Sequence, residues 1–268
     1  MKRIALIGCG AIGCEIAKFI DSAKIDAKLT IIFDLNYNTM NHLYTLLNSK
    51  PKMIKSVDDI NEIDLVIEAA SQDALREYAI KILEKYDLMA MSIGALLDEK
   101  LFNKIYETTL KYNTRLYLPT GAIAGIDAIK SVKALIDEIE IISTKHPNAL
   151  KDALYVKMNN LDLTINKPKL IYEGYAKEAV RYFPANINVA ATLSLVGVGA
   201  SNTKVKIIAD PNIHTNRHEI FVKGKFGEFM FRVDNIPSPA NPKTSYLAIL
   251  SAIECLRSIC DDRIKIGT

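Results

Sequence analysis

No uninterrupted apolar stretch in this chain reaches the roughly 18 residues that a membrane-crossing helix needs, so no membrane partner is expected. Residues 1–20 imitate an export signal, with Lys2 and Arg3 ahead of an apolar run, but Glu15 and Lys18 interrupt that run and no small-residue cleavage pattern follows. An excess of one charge is also missing. The 34 basic residues are scattered among 31 acidic ones for a net charge of +3, without the massed basic face that nucleic acid requires. Cysteine is sparse: Cys9, Cys14, Cys255 and Cys260 form two pairs spaced five apart, which matches neither a CxxC redox motif nor the usual zinc frameworks. Reduced structural thiols fit better, and they point to the cytoplasm. What remains is an ordinary globular composition, 49% hydrophobic and 24% charged, on 268 residues, enough for one large domain or two modest ones.

Residues 2–8 (KRIALIG) are a nearly all-apolar run after two charges, as expected of a parallel strand buried on both faces. They lead into Gly8-Cys9-Gly10-Ala11-Ile12-Gly13 and then a stretch of helical spacing. A GxGxxG motif alone says little, but between a strand and a helix it has a mechanism. Gly8 permits the turn, Gly10 lets the backbone approach a pyrophosphate, and Gly13 lets helix and strand pack closely, while the helix N-terminus, with Ala11 and Ile12 in its first turn, faces the phosphates. A second strand, 28–33, ends at Asp34, 21 residues past Gly13, where a carboxylate can accept from the adenosine ribose diol. No arginine follows to receive a 2′-phosphate, so NAD is favoured and NADP is the alternative.

Strand-like segments at 64–70, 88–96 and 115–118 alternate with helical ones at 73–84 and 99–110, which predicts a Rossmann-type doubly wound parallel sheet. Ligands of such sheets lie beyond the carboxyl ends of the strands, which places Ala69, Ala70, Ser71 and Gln72 beside the cofactor; Ser71 is equally suited to capping the next helix.

After Pro119 the pattern changes. Small residues at 120–125 suit a close crossing, and strand-like runs follow at 138–143, 204–210, 218–223 and 228–233, the last two as a hairpin, with helical segments at 176–182 and 188–196. This predicts a second, α+β domain with an open mixed sheet. Residues 145–169 read as polar and irregular. The segment 246–259 reads as a helix returning to the first domain, with Thr244 as N-cap; Lys243 at a helix start opposes the macrodipole and suggests an anion bound nearby. Residues 1–120 with 243–268 would then bind the dinucleotide, and 121–242 would supply substrate chemistry and dimerisation.

Two of the four histidines, His214 and His218, stand four apart, and on a helix such a pair can pinch a metal ion. Here Asp210-Pro211 marks a turn before them and β-branched and aromatic residues follow, so the reading is strand, loop, strand, with no metal. His214 is then a solvated loop residue and His218 stands at the mouth of a strand.

The blocks GCGAIG (8–13), EAAS (68–71), SIGAL (92–96), GAIAGIDAI (121–129), NINVAATLS (186–194), NRHEI (216–220) and NPKTSYLA (241–248) together resemble the L-aspartate dehydrogenase family, in order over almost the whole chain. The resemblance implies a homodimer that oxidises L-aspartate with NAD or NADP to iminoaspartate, releasing oxaloacetate and ammonia or feeding quinolinate and NAD synthesis, with functional coupling to quinolinate synthase. It also implies that His218 is catalytic and that Ala122 and Asn188 contact the cofactor. The chain departs from the family pattern in a longer 145–169 segment and in Ala124, where glycine is usual.

Removing a hydride from an amino acid requires the amine to shed protons and the imine to receive water, work for a group that titrates near neutrality, and His218 is the side chain on hand. The substrate's two carboxylates need donors, for which Lys243, Thr244 and Asn186 are the candidates; strand alternation turns Arg217 away from the face of His218. Two rivals stand beside this reading. One is a related two-domain dehydrogenase or reductase, such as homoserine dehydrogenase or dihydrodipicolinate reductase, and the other is a non-catalytic NAD sensor.

Overall fold

The computed structural model describes residues 1–184, 187–239, 241–261 and 263–264, without the side chains of 241–243. The chain divides into two compact units, Met1–Pro119 with Ile249–Thr268, and Thr120–Ala248.

The first unit alternates β1 (Lys2–Ile7), α1 (Ala11–Asp21), β2 (Ala27–Phe33), α2 (Tyr37–Leu46), β3 (Lys52–Met53), β4 (Leu65–Glu68), α3 (Gln72–Leu83), β5 (Asp87–Ala90), α4 (Glu99–Tyr112) and β6 (Leu116–Tyr117). The six strands form one sheet in the order β3-β2-β1-β4-β5-β6, all parallel, the doubly wound arrangement expected from the sequence. Helices cover such a sheet on both faces, so Ile4, Ala5, Leu6 and Ile7 are all buried, which is why β1 is an unbroken apolar run. In α1 the buried residues Gly13, Ile16, Ala17 and Ile20 follow helical spacing and pack on that sheet. The expected strand at 88–96 is corrected: β5 stops at Ala90, and Ile93–Leu97 is a 3-10 turn, because Ser92 bends inward to bond Glu68.

The second unit contains α5 (Ile126–Ser131), β7 (Ile136–Lys145), α6 (Leu154–Met158), β8 (Lys169–Tyr175), α7 (Ala176–Tyr182), α8 (Asn188–Val196), β9 (Thr203–Ala209), β10 (Asn216–Gly224), β11 (Gly227–Asn235), β12 (Pro237–Ser238) and β13 (Asn241–Ser245). Its five-stranded sheet, β11-β10-β7-β9-β8, is mixed: β7 and β9 run parallel and the other pairs antiparallel. The segment 145–169 is more ordered than its composition indicates. Lys145 closes β7, Lys169 opens β8, and Tyr155 of α6 sits 5.2–5.7 Å, centroid to centroid, from the rings of Tyr172, Tyr182 and Phe183. Aromatic edges and faces stabilise this short helix, where periodicity had too few residues to register.

The helix α9 (Tyr246–Cys260) is the last element among the described residues, and its Ala252 and Leu256 join the core of the first unit. Thr244 is not its N-cap, because it lies within β13, which pairs with β12, and Ser245 directly precedes the helix.

Candidate active site

In the first unit, the turns after β1 and β4 meet at the point where strand order reverses. Gly8 has φ +93°, and a Cβ there would stand 2.6 Å from the backbone of Ala69 and Ala70. A Cβ on Gly13 would lie 2.0 Å from the carbonyl oxygen of Gly8, so α1 rests directly on the turn. Gly10 differs from both, since nothing stands within 4 Å of its Cβ position. That open side, with a helix start that has neither a side-chain cap nor an acid in its first turn, fits an incoming pyrophosphate. Ala11 and Ile12 are the first two helical residues there.

Asp34 follows β2 and anchors this loop: Oδ2 accepts from the backbone N–H of Cys9 and Oδ1 from that of Asn36, both at 2.8 Å. Ser71 caps α3, its hydroxyl accepting from the Ala74 N–H at 3.1 Å. The N–H of Ala70 donates to Glu68 at 2.8 Å.

Glu68 has a role that sequence reasoning missed. It is 1% exposed, and its carboxylate accepts from Ala70 N–H, Ser92 N–H and the Ser92 hydroxyl. Burial pushes its pKa up, against the pull of those donors. One carboxylate thereby ties the turns after β4 and β5 into a fixed rim. Its only signal in the sequence was an acid at the end of an apolar strand.

In the second unit, β7 and β10 run side by side with His218 opposite Ser143. A hydrogen bond of 2.9 Å joins Ser143 Oγ to His218 Nδ1, which orients the ring and leaves Nε2 for chemistry. His218 is 1% exposed, and its pKa is pushed down to about 3, mainly by burial and further by the charge of Lys145. Lys145, 6% exposed, is itself lowered to about 8 by burial. The resting imidazole is therefore neutral, and the expectation of a group that titrates near neutrality is corrected for the resting site, because burial carries His218 well below that range. Ile139, Ile141, Ser143 and Lys145 share one face of β7 by alternation, and Asn216, His218, Ile220 and Val222 share the matching face of β10. Ending the strand at 143 hid Lys145; carrying the alternation one step further would have revealed a lysine on an apolar face.

Of the other expected site residues, His214 is exposed in the loop before β10, so the two histidines share no helix. Among the described residues no group of three or more His, Cys, Asp or Glu could hold a metal ion. Arg217 points to the opposite face and pairs with Asp234 at 2.7 Å. Ala122 is buried, its carbonyl accepting from Asn235 Nδ2 at 2.9 Å, and Asn188 opens α8. Asn186 and the side chain of Lys243 lie outside the described residues.

Residues 8–119 match the family described as "Homoserine dehydrogenase, NAD binding domain", and residues 127–259 match "Aspartate dehydrogenase, C-terminal". The chain is 47% identical to the L-aspartate dehydrogenase of Nitrosopumilus maritimus and 44% identical to that of Methanococcoides burtonii, each over 100% of both chains. Among solved structures, aspartate dehydrogenase from Thermotoga maritima superimposes with a TM-score of 0.79 at 25% identity, covering 100% of both chains. A myo-inositol dehydrogenase from Lactobacillus casei, at 12% identity and TM-score 0.59 over 100% of this chain and 88% of its own, shares the fold. With full-length identity of this order to several such relatives, the chain belongs to the L-aspartate dehydrogenase family.

Proposed function

We propose that this protein oxidises L-aspartate at its Cα–N bond to iminoaspartate, which hydrolyses to oxaloacetate and ammonia or passes to quinolinate synthesis. The observation that carries the reading is the buried Ser143–His218 pair within the region matching the aspartate dehydrogenase C-terminal family. Unit Met1–Pro119 with Ile249–Thr268 is assigned cofactor binding, and Thr120–Ala248 the substrate chemistry. A nicotinamide held by the first unit would supply the hydride acceptor. The protein's own residues handle protons and orientation. Ser143 holds the His218 ring by Nδ1, and the neutral Nε2 accepts a proton from the substrate amine, releases it to solvent, and then accepts one from the water that adds to the imine. Burial and Lys145 keep the imidazolium from forming in the resting site, so the base is available without prior deprotonation.

NAD is the preferred cofactor in this reading, with Ala70, Ser71, Ala122 and Asn188 among its contacts. The support for NAD is Asp34, whose carboxylate is fixed at the end of β2 and would repel a 2′-phosphate. A homodimer is supported by the exposed pair Phe221 and Met230, neighbours on β10 and β11. A reducing, cytoplasmic setting is supported by the four free thiols.

The test is the appearance of reduced-nicotinamide absorbance with purified protein, NAD and L-aspartate, beside D-aspartate, L-glutamate and L-homoserine. Reduction with L-aspartate alone, falling about 10²–10⁴-fold in His218→Ala while NAD still binds, is the expected result. Turnover of L-homoserine in preference would transfer the protein to the related dehydrogenases, and NAD binding without turnover of any substrate would make it a sensor.

A further inference from the structure

A dicarboxylic amino acid presents two anions, and the second unit holds two buried donors beside His218. The first is Lys145, a buried cation on the strand face that also carries Ile139, Ile141 and Ser143. The second is Asn216, 5% exposed, whose Nδ2 is buried with no hydrogen-bond partner among the described residues. A buried amide donor left unbonded costs about 1–3 kcal/mol, so such a group implies an acceptor that arrives from elsewhere. The two residues lie one step beyond the Arg217–Thr144 pairing of β10 with β7, on the face that carries His218 and Ser143. A cavity of about 520 Å³ opens at the same strand ends, lined by Asn216, Thr215, His214, His146, Lys151 and Asp152, the last paired with Lys157 at 3.8 Å.

We propose that Lys145 and Asn216 form a carboxylate subsite beside His218, and that one of the two carboxylates of L-aspartate docks there. The proposal rests on the aspartate dehydrogenase reading and offers a charged and an amide N–H donor on neighbouring strands. The surroundings favour an anion. Opposite Lys145 and Ser143, β9 contributes Ala209 and Ile207, and α8, packed on β9, has no charged residue. Lys177, Glu178 and Arg181 of α7 are exposed. Asp210, next after β9, donates its N–H to the Lys145 carbonyl while its carboxylate accepts from Asn212 N–H. Glu140 and Asp234, on the opposite face, pair with Lys206 and Arg217. A carboxylate at Lys145 also offsets the charge that depresses His218, so substrate binding would move the imidazole towards the range in which it accepts a proton.

Succinate, a dicarboxylate with no amine, separates binding from chemistry. Its inhibition constant and the KM for L-aspartate should both rise about ten- to hundredfold in Lys145→Met and in Asn216→Asp, with NAD affinity unchanged. Lys145→Met should also melt higher than wild type, because an apolar isostere relieves a buried charge, whereas a purely structural lysine would give a lower melting temperature. In wild type, succinate binding should weaken above about pH 8 as Lys145 loses its proton, and Lys145→Arg should abolish that alkaline limb. Values within about twofold of wild type in folded Lys145→Met, or an alkaline limb that persists in Lys145→Arg, would overturn the proposal. A wild-type protein that binds NAD and succinate but never reduces NAD with L-aspartate would instead defeat the underlying reaction.

Discussion

The two units build their polar sites in opposite ways. In the first, the turn that fits a pyrophosphate is six consecutive residues, 8–13, and works through backbone: a positive φ at Gly8, an open flank at Gly10, a near-contact at Gly13. In the second, the buried cluster joins side chains 75 positions apart, Ser143 and His218, and exists only once β7 and β10 are in register. A site made of backbone geometry is written locally in residues that permit that geometry. A site made of side chains across a sheet is specified by the pairing, and one residue of slip would turn His218 to the other face.

The largest expected effect tests whether the first site is backbone in kind. Gly13→Val forces a side chain against the Gly8 carbonyl and should cost about 3 kcal/mol or more, read as a lowered melting temperature. Gly10→Val has room for its side chain, so it should melt near wild type yet bind NAD at least roughly tenfold more weakly. Equal melting temperatures for the two variants would remove the distinction between a packing glycine and a ligand-approach glycine.

Acidification should separate the two units by sign. The folded pKa of His218, about 3, lies below its ordinary 6.5, so in that window the unfolded chain binds the proton and the folded chain does not. Stability contributed there is present above about 6.5 and lost as pH falls towards 3. Glu68 is raised by burial, so its contribution has the opposite slope, growing as pH falls through its raised value. Hydrogen exchange at mildly acidic pH should therefore show the second unit opening before the first, and His218→Gln should flatten that difference. Faster exchange in the first unit would contradict both assignments.

The smallest effect concerns cofactor choice. Asp34→Ser removes the carboxylate that would oppose a 2′-phosphate, and the ratio of kcat/KM for NADP over NAD should rise about tenfold. Because Asp34 also accepts from Cys9 N–H, overall affinity should fall modestly for both nucleotides. An unchanged ratio would mean that the discrimination lies elsewhere.

Much of the architecture was legible because periodicity reports burial directly. The helices Ala176–Tyr182 and Asn188–Val196 and the β10–β11 hairpin stand where spacing put them. The readings that failed were short or were ended by a specific bond. The helix Leu154–Met158 has five residues and is stabilised by three distant rings, and β5 stops early because Ser92 reaches Glu68. Thr244 looked like a cap by residue type, yet strand pairing claimed it. Lys145, placed in a featureless segment, is the buried cation beside the catalytic histidine candidate.

By itself the sequence determined the alternation of elements, the glycine turn and the acid after β2, since each follows from local backbone preference or from a motif of fixed spacing, whereas His218 was singled out by the family resemblance. Only the tertiary structure decided that Ser143 holds the ring, that Glu68 ties two turns together, and that Lys145 and Asn216 lie beside His218. The charge state of a side chain depends on what surrounds it in space, and neighbours brought together by strand pairing leave no pattern along the chain.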